Sequence, residues 1–232
     1  VLPIDQEALL ESVVGPWERL MRPSVESPEA LMDESRNDSV ALMVVGDPMQ
    51  ATTHIDLEAR CIEEGIGFEV IPGMSATSLA VSLSGLQSYK FGRQVTLPYP
   101  YGDYLATSPL KMILRNLESG LHTLVLLDLD PTGMGSNLPT PMSPSQAISI
   151  LEGMEEKWLE EGDSIEWVNK SVLAVNGWEG MLLSDVGTKG QRVLSGSLQE
   201  ISKIQGGWVH SLIIPSEMSD NEREAFCRRG MM

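Results

Sequence analysis

Two short segments in the first third of the chain are predicted to be strands. Residues 40–45 are almost continuously apolar and end in a Gly-Asp-Pro turn, a pattern typical of a strand buried on both faces of a parallel sheet. Residues 68–71 are predicted to form a second, short strand. Residues 53–65 and 75–84 have helical spacing. The order strand, helix, strand, helix predicts a right-handed parallel unit.

Helix boundaries are indicated by capping and breaking residues. Thr53 and Asp56 stand in the relation of a capping box, with Asp in place of the usual Glu, and Gly65 marks the end of that helix. Two further helices are predicted before the first strand, over residues 4–21 and residues 27–36. The first of these contains Pro16, which predicts a kink.

The pattern changes near residue 92, where a second α/β half is predicted to begin. Residues 93–98 alternate between apolar and polar side chains, as in a strand, and residues 122–128 form another strand. The remaining predicted elements are helices at 108–120, 145–161, 198–204 and 217–227, and strands at 171–175, 181–186 and 208–215. The sequence therefore predicts an α/β protein with two domains, residues 1–92 and 93–232.

Charge limits the classes of partner. The chain carries 16 Lys and Arg against 33 Asp and Glu, a formal net charge of −17. Nucleic-acid binding requires clustered cations that displace counterions, so this balance disfavours a nucleic-acid partner. It fits either a basic protein partner or adaptation to a salty cytoplasm, and charge does not separate the two.

Cysteines and histidines give no metal-binding pattern. Cys61 and Cys227 form neither CxxC spacing nor a disulfide framework, and Cys61 is predicted to be a buried thiol. The histidines also lack the close spacing of a metal site. His54 and His122 are interpreted as structural. His210, inside the last apolar strand, fits a core histidine and a pocket donor equally well.

Neither a membrane span nor a signal peptide is indicated by the sequence. No apolar run approaches about 18 residues, the length that a membrane helix needs. Asp5, Glu7 and Glu11 stand where a signal peptide has basic residues. The expected location is the cytoplasm.

Asp47 is the first candidate for chemistry, because it follows the first predicted strand. Ligands bind at the carboxyl ends of strands in open α/β sheets. Taken alone, Asp47 between Gly46 and Pro48 is more simply an Asx turn. The alternative is an acid that accepts hydrogen bonds from a ligand, with Gly46 allowing the ligand close to the backbone.

Several common active-site motifs are missing. The chain contains neither GxGxxG nor GxxxxGK[ST], which disfavours NAD and nucleoside triphosphates as ligands. It also lacks a GxSxG nucleophile elbow.

Three sequence blocks together resemble one family. "VVGDPMQATTH" is followed by "EVIPGMSATSLAVSLSGLQSYKFGRQVTLPYP" and then by "GLHTLVLLDLD". In this order and spacing they resemble the archaeal diphthine synthases, which belong to the tetrapyrrole-methylase-like S-adenosylmethionine enzymes. The resemblance is strong over residues 40–130 and looser beyond. It implies two α/β domains of the tetrapyrrole methylase type, with the ligand cleft between them.

The resemblance also implies a cofactor site. The acid after the glycine corresponds to Asp47, and the histidine of the last strand to His210, which favours a pocket role for both. The full implied set for S-adenosylmethionine is Asp47, Gln50, Ser75, Ala76, Leu127, Asn176 and His210. Gln50 and Asn176 stand where the family more often has small apolar residues, so contacts through their backbones are expected. No catalytic residue and no metal ligand are assigned.

One departure concerns the start of the family pattern. Diphthine synthases open with a strand and a Gly-x-Gly-Leu turn that line the cofactor pocket, and this sequence begins with the helical region that follows. The expectation is therefore a truncated gene product or fragment that lacks this strand, and that binds cofactor poorly or is unstable.

The activity implied by the resemblance is methyl transfer in diphthamide biosynthesis. The acceptor would be the amino group of the modified histidine on translation elongation factor 2, and S-adenosyl-L-homocysteine would be the product. The resemblance also implies a homodimer. His210 is the first residue to test as the acceptor of the substrate proton. The alternatives are a related tetrapyrrole or ribosomal RNA methylase, or a truncated, non-catalytic cofactor-binding form.

Overall fold

The computed structural model describes residues 4–161 and 174–230, and these fall into two compact units. The first unit comprises residues up to 76 together with 134–138, and the second comprises residues 77–133 and those from 139 onward. The chain passes from the first unit to the second after Ala76, whereas the sequence places the boundary at residue 92.

The first unit is helical in its regular structure. Its helices are α1 Ile4–Val14, α2 Arg22–Glu26, α3 Glu29–Ser35 and α4 His54–Glu63. Met32, Leu57 and Cys61 form its small core, with Leu42, Ile66 and Phe68 packed against them. Cys61 is therefore the buried thiol that the sequence predicts.

The two strands predicted in the first unit are wrong. Among residues 4–76 no strand is present, and residues 40–45 and 68–71 have no ladder hydrogen bonds to each other. A strand exists only where its backbone pairs with a neighbour, and apolar composition alone does not supply one. Val45 and Ile71 are 59% and 79% exposed, so burial on both faces does not occur here either.

Two helix boundaries also differ from prediction. α1 ends at Val14 instead of continuing through a kink, because Gly15 has φ +83° and Pro16 follows it. Thr53 precedes α4, but its side chain makes no capping hydrogen bond. The predicted capping box is therefore wrong, although the helix itself is confirmed.

The second unit is built on a five-stranded mixed sheet in the order β1-β2-β5-β3-β4. β1 and β2 are parallel, and the other neighbouring strands are antiparallel. The strands are β1 Val95–Leu97, β2 Thr123–Leu127, β3 Glu179–Ser184, β4 Arg192–Ser197 and β5 His210–Ile214.

Helices cover both faces of this sheet. Successive side chains of a strand point to opposite faces, so Leu124 and Val125 of β2 belong to different core clusters. One cluster includes residues of α6 Ser108–Glu118, α7 Pro144–Glu160 and α8 Leu198–Ile201. The other includes residues of α5 Ala76–Ser84 and α9 Asp220–Cys227. The sheet therefore lies between two helical layers.

Most elements predicted in the second half are confirmed. α7 begins at Pro144, one residue before the predicted start, where Ser143 and Gln146 form a capping box that the sequence analysis did not identify. β4 was not predicted. The strand predicted over residues 171–175 has residues 171–173 outside the described part of the chain, and Val175 begins a 3-10 turn.

Candidate functional site

Asp47 lies in a turn of the first unit, and one of its two carboxylate oxygens accepts a hydrogen bond within that turn. Oδ1 accepts a hydrogen bond from the Met49 backbone N–H at 2.9 Å, which is an Asx turn. The side chain is half-buried, and Oδ2 has no hydrogen-bond partner among the described residues. The turn thus leaves one carboxylate oxygen available to a ligand.

The Gly46 backbone crosses the Gly73 backbone very closely. A Cβ placed on Gly73 would lie 2.0 Å from the Gly46 carbonyl oxygen, so only glycine fits at position 73. Gly46 itself has φ +99°, a conformation that side chains disfavour. The crossing brings together the turn that carries Asp47 and the turn that leads to Ser75.

His54 holds the turn after Asp47 in place. Its Nδ1 lies 2.6 Å from the Pro48 carbonyl oxygen, which accepts the hydrogen bond. This contact confirms the structural interpretation of His54. Gln50, in the same turn, is exposed, and Ala51 beside it has φ +54°.

Ser75 and Ala76 lie where the second turn enters α5. Ser75 is buried, whereas Ala76 is the exposed first residue of the helix. Gly73, two residues earlier, contacts Gly46. The first unit therefore places Ser75 and Ala76 on the segment that crosses the turn of Asp47.

A groove of about 570 Å³ lies within the first unit. It runs between residues 38–44 and residues 66–71, and Met32, Leu57 and Cys61 line it. Its volume is in the range of small-molecule sites. Pro48 and Met49 belong to its lining, so the groove reaches the turn that carries Asp47.

In the second unit, Leu127 and His210 lie at the same edge of the sheet. β2 and β5 are antiparallel with Leu126 opposite Ser211, so the next residues, Leu127 and His210, follow that register. Leu127 is the carboxyl end of β2 and His210 the start of β5. Both are buried. The structure thus brings together two of the predicted residues.

Ser184 completes this edge and was missed by the sequence analysis. It ends β3 directly opposite His210, and its Oγ lies 2.8 Å from His210 Nδ1. A signal was present: the apolar run of residues 181–183 ends in Ser-Asp-Val-Gly, a polar turn like the one that drew attention to Asp47. The pairing with a histidine 26 residues later carried no sequence signal.

Asn176 lies elsewhere. It belongs to the 3-10 turn Val175–Gly177, which precedes the amino end of β3, and its side chain is exposed. Ser184 and His210 lie at the carboxyl end of that strand. The described structure therefore does not bring Asn176 to the edge that holds Leu127 and His210.

The surroundings of the His210 ring favour its neutral form. Burial lowers the pKa of His210. The negative charge of Asp185 raises this pKa, and the positive charge of Arg192 lowers it further. Both charged groups are engaged locally. Asp185 Oδ1 accepts from the backbone N–H groups of Trp208 and Val209, and Arg192 donates to the carbonyls of Gln205 and Gly206.

A second buried histidine is structural, as predicted. His122 is fully buried; its Nε2–H donates to Glu222 Oε1 at 2.9 Å, and its Nδ1 accepts from the Ser216 N–H at 3.0 Å. Burial lowers the pKa of His122. Burial alone would raise the pKa of Glu222, but hydrogen bonds from Gln87, Ser219, His122 and Lys90 hold it well below its usual range.

Two kinds of feature are absent from the described residues. No group of three or more His, Cys, Asp or Glu side chains among them is arranged to hold a metal ion. No helix formed by them has the length and apolar character needed to cross a membrane.

The chemistry of the site residues fits S-adenosylmethionine. This ligand offers hydroxyl and amino donors, which an anionic oxygen such as Asp47 Oδ2 can accept. It also offers carboxylate and ring-nitrogen acceptors, which suit an imidazole N–H. The crossing of Gly46 and Gly73 leaves bare backbone beside Asp47, and a ligand can approach such backbone closely.

Comparison with known proteins gives a consistent result. The family model described as Tetrapyrrole (Corrin/Porphyrin) Methylases matches residues 5–202. A diphthine synthase of Methanoregula boonei is 33% identical over 215 residues, covering 92% of this chain and 77% of that protein. A diphthine synthase of Aeropyrum pernix is 36% identical over 188 residues, covering 79% of this chain and 58% of that protein.

Solved structures show the same fold. A crystal structure of diphthine synthase matches with a TM-score of 0.78 at 23% identity, covering 95% of this chain and 78% of that one. A conserved hypothetical protein from Aeropyrum pernix K1 matches with a TM-score of 0.71 at 30% identity, covering 90% and 68%. The predicted α/β class of the tetrapyrrole methylase type is confirmed.

Proposed function

The chain belongs to the diphthine synthase family, within the tetrapyrrole methylases, and we propose that it methylates the modified histidine of translation elongation factor 2. Membership of this family makes it an S-adenosylmethionine-dependent methyltransferase of diphthamide biosynthesis. The observation that carries the proposal is the identity of about one third to a diphthine synthase over 92% of the chain.

We assign the cofactor S-adenosylmethionine, with S-adenosyl-L-homocysteine as product, to the residues named from the sequence. These are Asp47, Gln50, Ser75, Ala76, Leu127, Asn176 and His210. Three observations support the assignment: the available oxygen of Asp47, the segment of Ser75 that crosses its turn, and the common edge of Leu127 and His210. For Asn176 the support is the family resemblance alone.

The side chains of this protein would bind and orient the cofactor. When bound, S-adenosylmethionine supplies an electrophilic methyl group that a neutral amine attacks in line with the carbon–sulfur bond. Alignment of the reactants accounts for much of the rate in such a transfer. Asp47 would accept hydrogen bonds from the cofactor, and the rigid crossing at Gly73 would keep its turn in register. The amine must lose a proton before it attacks, and solvent or a basic side chain must accept it.

The proposed partner is elongation factor 2, which places the protein in the cytoplasm. A net charge of −17 suits a basic surface on that factor. It disfavours the alternative of a ribosomal RNA methylase. The family resemblance also supports a homodimer, which sedimentation analysis would distinguish from a monomer by mass.

Transfer of a labelled methyl group tests the function directly. Purified protein, labelled S-adenosylmethionine and elongation factor 2 carrying the unmethylated intermediate should give label in the factor. The matched control is the factor without the histidine modification, which should take up none. Label in ribosomal RNA or in a tetrapyrrole instead would identify that molecule as the substrate. Absence of label from elongation factor 2, ribosomal RNA and the tetrapyrrole would contradict methyl transfer by this chain.

Asp47→Asn separates the cofactor role from the turn. The amide retains an oxygen for the Asx turn but replaces the second carboxylate oxygen with an NH₂ donor. We expect binding of S-adenosylhomocysteine, measured by calorimetry, to weaken by about 1.5–3 kcal/mol, the scale of a hydrogen bond to a charged group. Asp103→Asn, at an exposed loop position, is the control. Equal affinity of wild type and Asp47→Asn would reduce Asp47 to a turn residue.

A further inference from the structure

The pair formed by Ser184 and His210 is buried at the edge of the second unit's sheet. The two residues lie opposite each other in the antiparallel ladder of β3 and β5, and the distance from Oγ to Nδ1 is 2.8 Å. Ser184 is completely buried and His210 is 7% exposed. A hydrogen bond in such a setting is strong, and leaving either member without a partner is costly.

The available hydrogens and acceptors determine whether Ser184 Oγ or His210 Nδ1 is the donor of this hydrogen bond. Among the described residues, the Ser184 hydroxyl has no hydrogen-bond partner other than His210 Nδ1. If Nδ1 carried a hydrogen, Ser184 Oγ would accept it, and the buried hydroxyl hydrogen would have no acceptor. If Ser184 donates to an unprotonated Nδ1, both groups are satisfied. A neutral ring then carries its hydrogen on Nε2.

The surrounding loop fixes the position of the ring. A Cβ on Gly207 would lie 2.7 Å from His210 Cε1, so the backbone of this loop packs directly against the ring edge. Gly207 has φ +89°, which also favours glycine. Asp185 and Arg192, the charged groups that act on the ring, are bonded to backbone groups of residues 205–209. The hydrogen bond of Ser184 is therefore the contact that sets the tautomer.

The other ring nitrogen, Nε2, is not fully enclosed by the described residues. Nε2 has no hydrogen-bond partner within the described part of the chain. The only fully buried side-chain nitrogen or oxygen without a partner in that part is Trp158 Nε1. Nε2 of His210 therefore keeps some exposure and can meet a ligand.

We propose that Ser184 is a positioning residue that holds His210 as a fixed hydrogen-bond donor, with Nε2–H directed to an acceptor atom of the bound cofactor. This rests on the proposed function, because it takes the ligand at this edge to be S-adenosylmethionine. The acceptor would be a carboxylate oxygen or an aromatic ring nitrogen. An Nε2 that carries a hydrogen is not a base, so the proton of the substrate amine goes to another acceptor or to solvent.

Nitrogen NMR of the histidine rings measures the tautomer without any ligand. In ¹⁵N-labelled protein comprising residues 1–232, at neutral pH, we expect the His210 ring to show a protonated Nε2 and an unprotonated Nδ1. Ser184→Ala should shift the ring toward a mixture of tautomers, and Ser184→Thr, which retains the hydroxyl, should restore the wild-type signature. The ring signals of His122, in the same unit, serve as a control that the fold is intact. A protonated Nδ1 in the wild type would overturn the proposal.

Cofactor affinity then tests the purpose of the arrangement. We expect S-adenosylhomocysteine to bind about 2- to 10-fold more weakly to Ser184→Ala, the range for one neutral hydrogen bond, and nearly normally to Ser184→Thr. His210→Ala should weaken binding at least as much. Unchanged affinity in both alanine variants would overturn the donor role at the cofactor. If affinity falls as expected but elongation factor 2 takes up no methyl group, the proposed substrate fails and the role of Ser184 stands.

Discussion

In the second unit, side chains of equally apolar segments lie between a sheet and its helices: Leu124 and Val125 of β2 are almost completely buried on opposite faces. In the first unit, residues 40–45 and 68–71 are also largely apolar, yet Val45 and Ile71 are largely exposed. The difference is backbone pairing. β2 has a partner on each side, and the two segments of the first unit have no ladder partner among the described residues. Apolar residues become a strand only where neighbours take up their hydrogen bonds.

Hydrogen exchange should show the largest contrast between the units. Amides of β2 and β5 open only in sub-global or global unfolding, whereas amides without a ladder bond open locally at little cost. We expect exchange in residues 40–45 to be on the order of 10³-fold faster or more than in β2, given a global stability of about 5 kcal/mol or higher. Mass spectrometry of exchanged peptides measures this. Equal protection of the two segments would show that residues 40–45 are paired in solution.

Truncation of core side chains should give the next largest difference between the units, in the free energy of unfolding. Leu151→Ala in α7 removes a fully buried side chain from the large core, and we expect a loss of about 2–5 kcal/mol in the free energy of unfolding. Leu57→Ala acts on the small core of the first unit, where Leu57 already lines the groove. We expect a loss of about 2 kcal/mol or less there, because the groove already leaves this side chain incompletely packed.

Denaturant titrations of both variants, followed by a signal from each unit, would measure these losses. A loss for Leu57→Ala as large as that for Leu151→Ala would mean that the first unit is packed as densely as the second.

Glu222 belongs to a buried polar network of the second unit. Its carboxylate joins α9 to His122, Lys90 and the Gln87 backbone. We expect Glu222→Gln to cost about 2–3 kcal/mol, because the network loses its charge and two donors lose their best acceptor. Glu179→Gln, which breaks the exposed pair with Arg223, is the control and should cost less than about 1 kcal/mol.

The network of Glu222 and His122 determines how the stability of the protein changes with pH. The pKa of Glu222 is lowered in the folded state, so its contribution to stability is present above the unfolded pKa of about 4.3 and is lost as pH falls below it. The pKa of His122 is also lowered, so stability decreases further as pH falls below about 6.5. Unfolding measured between pH 5 and pH 3 should therefore show declining stability, with a shallower decline in Glu222→Gln. Parallel curves would contradict the role of the carboxylate.

Local signals allowed much of the fold to be predicted from the sequence. α6 and α7 have helical spacing, and β2 is short and apolar between a glycine and an aspartate. β4 was missed because its side chains are mostly half-buried and do not alternate clearly. The strands of the first unit were predicted from composition, which does not report whether a partner strand is present.

The candidate site shows the same division between local and distant information. Asp47 could be identified because the adjacent residues Gly46 and Pro48 indicate its turn. Ser184 did not, because its meaning depends on His210, 26 residues away, and on the register of β3 against β5. The roles proposed for Asp47 and Leu127 as cofactor contacts rest on family resemblance, since neither side chain alone specifies a ligand.

A matched pair of Val→Thr substitutions tests the comparison at its smallest expected effect. Val125→Thr in β2 places a hydroxyl in a fully buried position, and we expect it to cost about 1–3 kcal/mol. Val45→Thr places the same hydroxyl on a side chain that is 59% exposed, and we expect a change within about 0.5 kcal/mol. Both are measured by denaturant unfolding. A cost above about 1 kcal/mol at Val45 would show that residues 40–45 are covered in solution, by a second copy of the chain or by another segment, and the contrast between the two units would then arise from what covers the first one.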